Sequence, residues 1–176
     1  MRILVVVDMQ NDFIDGALGT PEAQAIVPNV IKKIKKYRDN EDTAIIYTAD
    51  THGKDYLDTQ EGRKLPVPHC IYPSDGWMIP ESVYTTSAPI VMKKTFGADN
   101  LSDYIKAMEK QPKFTLESIE VIGLCTDICV ISNVMILKAF FPEVPIVVDS
   151  SCCAGVTPES HKNALEAMKM CQIEVV

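Results

Sequence analysis

Apolar positions along this chain alternate between unbroken runs and helical spacing. Ile3 to Val7 is a continuous, largely β-branched run, as in a strand covered on both faces. Thr20-Pro21-Glu22 then reads as a helix start, with Thr as N-cap and Pro at the first helical position. Ile26, Val27, Val30, Ile31, Ile34 and Tyr37 follow at helical spacing. Lys32, Lys33, Lys35 and Lys36 fall between them and are expected on a solvated face. Thr43 to Thr48 predicts a second strand, and Ile90 to Met92 a short third one. Leu101, Tyr104, Ile105 and Met108 predict a helix. Ile119 to Gly123 predicts a fourth strand, running into a helix with Ile131, Val134, Met135, Leu137 and Ala139. Pro145 to Val148 is a fifth strand, and Thr157-Pro158-Glu159 starts a last helix with Ala164, Leu165 and Met168 inward. Ile173 to Val176 is a short sixth strand.

Strands alternating with helices predict an α/β fold: a three-layer α/β/α, Rossmann-like single domain over residues 1–176, with a parallel sheet of about six strands. The pattern fails from Asp50 to Pro89, where five prolines and three glycines forbid long regular elements. A loop of that length in a compact domain is usually functional, and this one holds two of the three histidines and the only tryptophan.

Length and composition are those of one ordinary globular domain: 176 residues, 47% hydrophobic and 23% charged. A net charge of -7 argues against nucleic acid as a partner, which needs a basic face. No apolar run approaches the length of a membrane span, and the early Asp8 interrupts anything resembling a signal peptide. A cytoplasmic protein with reduced thiols is expected. The six cysteines at 70, 125, 129, 152, 153 and 171 form no even framework, and the adjacent Cys152 and Cys153 read as small buried residues.

Candidate chemistry gathers at strand ends, where ligands bind in open parallel sheets. Asp8 ends strand one, Lys93 or Lys94 ends strand three, and the segment Gly123 to Val130 follows strand four with Cys129 in the first helical turn. A thiol there feels the positive helix end, which is expected to lower its pKa and make it a nucleophile. A thiol, a carboxylate and an ammonium can divide the labour of acyl transfer. In the long loop, Asp50, His52, Glu61 and His69 are candidate ligands for zinc, iron or manganese.

These segments resemble a known family. Asp8-Met9-Gln10-Asn11-Asp12-Phe13 is similar to the opening signature of the isochorismatase-like cysteine hydrolases. Cys125-Thr126-Asp127-Ile128-Cys129-Val130 resembles their nucleophile turn, and Lys93-Lys94-Thr95-Phe96-Gly97-Ala98 their lysine segment. Thr157-Pro158-Glu159-Ser160-His161 resembles the closing segment, so the likeness spans nearly the whole chain. The resemblance implies a catalytic triad of Asp8, Lys93 and Cys129. It prefers Lys93 to Lys94 because the aromatic falls three residues later, and Cys129 to Cys125 because it follows the Thr-Asp pair. It implies a cis peptide at Leu124–Cys125, with the amides of Cys125 and Cys129 as an oxyanion hole contributing about 3 kcal/mol each.

Asp50, His52, Glu61 and Pro68-His69-Cys70 resemble the metal set of the nicotinamidase branch. The implied activity is hydrolysis of nicotinamide to nicotinate and ammonia through a thioester, with a divalent metal, Zn2+ before Fe2+ or Mn2+, holding the pyridine nitrogen. Phe13 and Trp77 are candidate walls for the ring. A related cysteine hydrolase acting on another small amide or ureido compound, and a non-catalytic binding domain of the same fold, are the alternatives. The resemblance also implies self-association into a homo-oligomer. His161 is expected to be structural.

Overall fold

The computed structural model describes residues 1–85, 87–110 and 114–176. Strand β1 (Arg2–Val7) is central and fully covered, as its unbroken apolar run requires. It pairs in parallel with β2 (Thr43–Asp50) on one side and β4 (Ser118–Leu124) on the other. Strand β3 (Ile90–Lys93) lies outside β2, and β5 (Ile146–Ala154) and β6 (Glu174–Val175) lie outside β4. The sheet is six-stranded and parallel throughout, in the order β3-β2-β1-β4-β5-β6.

Helices cover both sides of the sheet. After the single turn α1 (Asn11–Ile14), the long helix α2 (Pro21–Arg38) packs on β2, β4 and β5. Thr20 caps it by accepting from the Ala23 amide at 3.0 Å, as the sequence predicts. The turn α3 (Gln60–Lys64) lies in the long loop. Helices α4 (Leu101–Glu109), α5 (Ile131–Phe140) and α6 (Pro158–Met170) pack side by side, reached by crossovers in the opposite direction to that of α2. Strand order therefore reverses between β1 and β4, and a crevice opens beyond the carboxyl ends of those strands.

Two local expectations are corrected. Lys33 is not on a solvated face: its Nζ lies 2.5 Å from Glu120 of β4 and 2.8 Å from Asp149 of β5, where α2 crosses the sheet. Tyr37 donates to the same Glu120 at 2.6 Å, so an ammonium between two half-buried acids wins over exposure. Strand five continues to Ala154 through polar Asp149, Ser150 and Ser151, beyond the apolar run that marked it. The long loop holds only short elements, α3 and a 3₁₀ turn at Tyr56–Asp58, as its prolines and glycines require.

Candidate active site

The four strands nearest the crevice each deliver one reactive group. Strand β1 stops at Asp8, whose positive φ of 47° ends the ladder. Lys93 is the last residue of β3 and stands in register with Asp50 at the end of β2. Its Nζ lies 2.7 Å from Asp8 Oδ2, 3.3 Å from Asp50 Oδ1 and 3.5 Å from Cys129 Sγ. The sequence separates these groups widely, yet one buried ammonium touches all three.

Cys129 comes from β4 through a tight passage. Gly123 has φ of 121°, and a Cβ there would meet the Val7 carbonyl oxygen at 2.1 Å, so only glycine lets β4 close on β1 at this point. The Leu124–Cys125 peptide is cis. Residues Thr126–Val130 form one wide π-turn, in which the Ile128 and Val130 amides donate to the Cys125 carbonyl. Asn133 then fixes the Cys129 backbone. Its Nδ2 donates to the Cys129 carbonyl at 2.8 Å, and its Oδ1 accepts from the Ala98 amide at 2.9 Å.

The expected lowering of the thiol pKa is overturned. Burial pushes the Cys129 thiol well above its ordinary value, the Asp8 carboxylate adds to that, and Lys93 offsets only part. Excluding water outweighs whatever the helix end returns. The resting group is therefore a thiol, and it needs a base. Asp8 suits that role. Burial raises its carboxyl above the ordinary range; Lys93 opposes this, Asp50 reinforces it, and Thr48 donates to Oδ1 at 2.6 Å. Burial would also lower Lys93, but Asp8, Cys129 and Asp50 outweigh it and keep the ammonium charged.

The second cluster adjoins the first. Asp50, His52, Glu61 and His69 each offer a ligand atom, all within 4.8 Å of one another. His52 Nε2 lies 2.9 Å from Asp50 Oδ2 and 3.6 Å from Glu61 Oε1. His69 Nε2 lies 3.6 Å and 3.7 Å from the same two oxygens. His69 Nδ1 donates to the Val67 carbonyl at 2.8 Å, which leaves Nε2 turned toward the acids. His52 Nε2 is buried and has no aligned hydrogen-bond partner among the described residues. Burial alone would raise Asp50, but His52, His69 and Lys93 hold it far below the usual carboxylate range, so it is ionised. Two carboxylates and two imidazoles, one of them with an orphaned nitrogen, fit a divalent cation.

Residues without an assigned role hold this cluster in place. Gln10 receives the Asp50 amide at 2.7 Å and donates to the Asp50 and Trp77 carbonyls at 2.9 and 2.8 Å. Asp12 accepts from the Cys70 amide at 2.7 Å, beside His69. Thr59 caps α3 through the Gly62 amide at 3.0 Å and so sets Glu61. Gln10 and Asp12 sit in the opening signature, but their partners in the long loop have no spacing that would announce them.

A cavity of about 310 Å³ joins the two clusters. Cys125 and Cys129 line one side, and Asp50, Glu61 and His69 another. Phe13 walls it, its ring 5.5 Å from that of His69. Trp77 does not line it, contrary to expectation. Its indole N–H donates to Thr51 Oγ1 at 2.9 Å and its ring meets Tyr72 edge-on, so the long loop's own packing takes the side chain. His161 Nδ1 lies 2.8 Å from Thr126 Oγ1. The six cysteines are all unbridged.

Known proteins share this arrangement of chain. Nicotinamidase of Schizosaccharomyces pombe is 25% identical over 207 residues, covering 98% of this chain and 91% of that protein. The pyrazinamidase of Pyrococcus horikoshii, solved in complex with zinc, superposes with a TM-score of 0.80 at 24% identity, over 99% of this chain and 98% of that one. N-carbamoylsarcosine amidase of Thermoplasma acidophilum superposes with a TM-score of 0.80, also at 24% identity, over 99% and 94%. The isochorismatase domain matches residues 2–176, and the chain belongs to that hydrolase family.

Proposed function

We propose that the protein hydrolyses a small aromatic carboxamide, nicotinamide foremost, to the acid and ammonia. The observation that carries this reading is Lys93 Nζ in contact with Asp8, Cys129 and Asp50 at once, which couples a thiol and a base to the cation cluster. Asp8 takes the thiol proton as the sulfur attacks the carbonyl carbon. Lys93 holds Asp8 in place and offsets the charge passing onto sulfur. The amides of Cys125 and Cys129 receive the oxyanion. Collapse of the tetrahedral adduct expels the amine, to which Asp8 returns the proton, leaving a thioester and free ammonia. Asp8 then takes a proton from water, the resulting oxygen attacks the thioester, and Cys129 regains its proton as the acid departs.

Asp50, His52, Glu61 and His69 would hold a divalent metal, zinc being the best match to this donor set. When bound, it supplies a Lewis-acid anchor for a ring nitrogen beside the reaction chamber. The similarity to a nicotinamidase and to a zinc-bound pyrazinamidase supports this choice of substrate and metal. The structural likeness to N-carbamoylsarcosine amidase makes a carbamoyl amino acid the comparison substrate. The test is to incubate purified protein with nicotinamide or N-carbamoylsarcosine and quantify ammonia and the acid product. Stoichiometric nicotinate and ammonia is the expected result. Ammonia from the carbamoyl compound alone contradicts the nicotinamide reading.

A further inference from the structure

A second chamber of about 500 Å³ lies against the first. The two share Glu61, Leu65, Phe96 and Ile128, which form the boundary between them. Their chemistry differs. Apart from the reacting groups, the inner chamber is walled mainly by apolar side chains such as Phe13, Leu18 and Val156. A charged substituent there would lose its water without gaining a partner. To the four shared residues the outer chamber adds His52, Thr59, Gln60, Lys64, Lys94 and Thr95. Its single carboxylate is Glu61, which the cation cluster engages.

The two lysines reach this chamber from separate elements. Lys64 is the last residue of α3, and Lys94 directly follows β3. Both are exposed to solvent. The chain as a whole carries a net charge of -7. A cationic mouth on an anionic protein draws anions to that mouth and repels them elsewhere. Nicotinamide is neutral and gives such a mouth nothing to hold.

We propose that the outer chamber is a second substrate subsite, built for a carboxylate that the substrate carries on the side away from its scissile amide. The substrate class then extends from nicotinamide to heteroaromatic monoamides bearing an acid group. The amide reacts at Cys129 in the inner chamber, the ring passes between Leu65 and Phe96, and the acid meets Lys64 and Lys94. Nicotinamide fills the inner chamber alone. This inference rests on the amidase reading.

The test compares nicotinamide, 5-carboxynicotinamide and the methyl ester of the latter. The acid is expected to show a KM about five- to tenfold below that of its ester, the effect of two solvent-exposed charge contacts. The double variant Lys64→Gln/Lys94→Gln is expected to erase that difference while the KM for nicotinamide stays within about twofold. Calorimetric titration of the three compounds into Cys129→Ala protein reads the same preference without turnover. Equal affinity for acid and ester, or a preference that survives the double variant, overturns the subsite. If no amide is hydrolysed by the unaltered protein, the amidase reading fails, and the calorimetry still decides the subsite.

Discussion

At the scale of single residues, the site is governed by burial rather than by the helix end. Cys129 is 5% exposed and Asp8 is fully covered, so both resist ionisation. Proton transfer between them keeps the number of charges constant, which is why a raised thiol and a raised carboxyl can work together. A pH prediction follows from the sign of the Asp8 shift. The base must be ionised, and its folded pKa lies above the ordinary 3.8. Activity is therefore lost as pH falls through that raised value. The acid limb of kcat/KM should have its midpoint above 3.8, and Asp8→Asn should be inactive across the profile; a midpoint at or below 3.8 contradicts Asp8 as the base. The reactive residues were legible in the sequence because each is a rare chemical type at a strand end. Gln10, Thr48 and Asn133 were not. They act as amide and hydroxyl clamps on partners up to 67 residues away, and no periodicity marks such a pairing.

At the scale of elements, hydrophobic period located the sheet and its principal helices, because strands buried on both faces leave unbroken apolar runs. It failed where polar residues are consumed internally. Lys33 looks like any lysine on a helix surface until Glu120 and Asp149 approach it from two strands. The second half of β5 was hidden in the same way, since Asp149 accepts from Ser151 at 2.9 Å and so satisfies polar groups within the strand. The turn after β4 depends on one glycine. Gly123→Ala puts a Cβ against the Val7 carbonyl at a positive φ, and should cost about 3 kcal/mol or more. Thermal melting should show a fall of about 6–12 °C for a chain of this size. A change of under about 2 °C would show that β4 has room to move away from β1, and that the close approach is not needed.

At the scale of the whole molecule, the reversal of strand order between β1 and β4 brings residues 8, 50, 93 and 129 to one crevice. The long loop then closes over it and supplies His52, Glu61 and His69. Its position was legible as a break in pattern. Its internal order was not, since Gln10 and Asp12 pin it through backbone groups. Because the loop and the sheet both contribute to this candidate metal cluster, a metal bound there would couple to folding. Removing metal with a chelator should lower the melting temperature by about 5–10 °C, the effect of a ligand held at about a hundred times its dissociation constant. Returning zinc should restore it, whereas Asp50→Ala protein should not respond to zinc. Among the described residues no helix is long and apolar enough to cross a membrane.

The central claim is that the sulfur of Cys129 forms the bond that cleaves the amide. Ammonia release by Cys129→Ala, measured beside unaltered protein of matching circular dichroism and metal content, tests it most directly. A loss of at least about a thousandfold is expected, as for removal of a catalytic nucleophile. Retention of a tenth or more of the activity would contradict it.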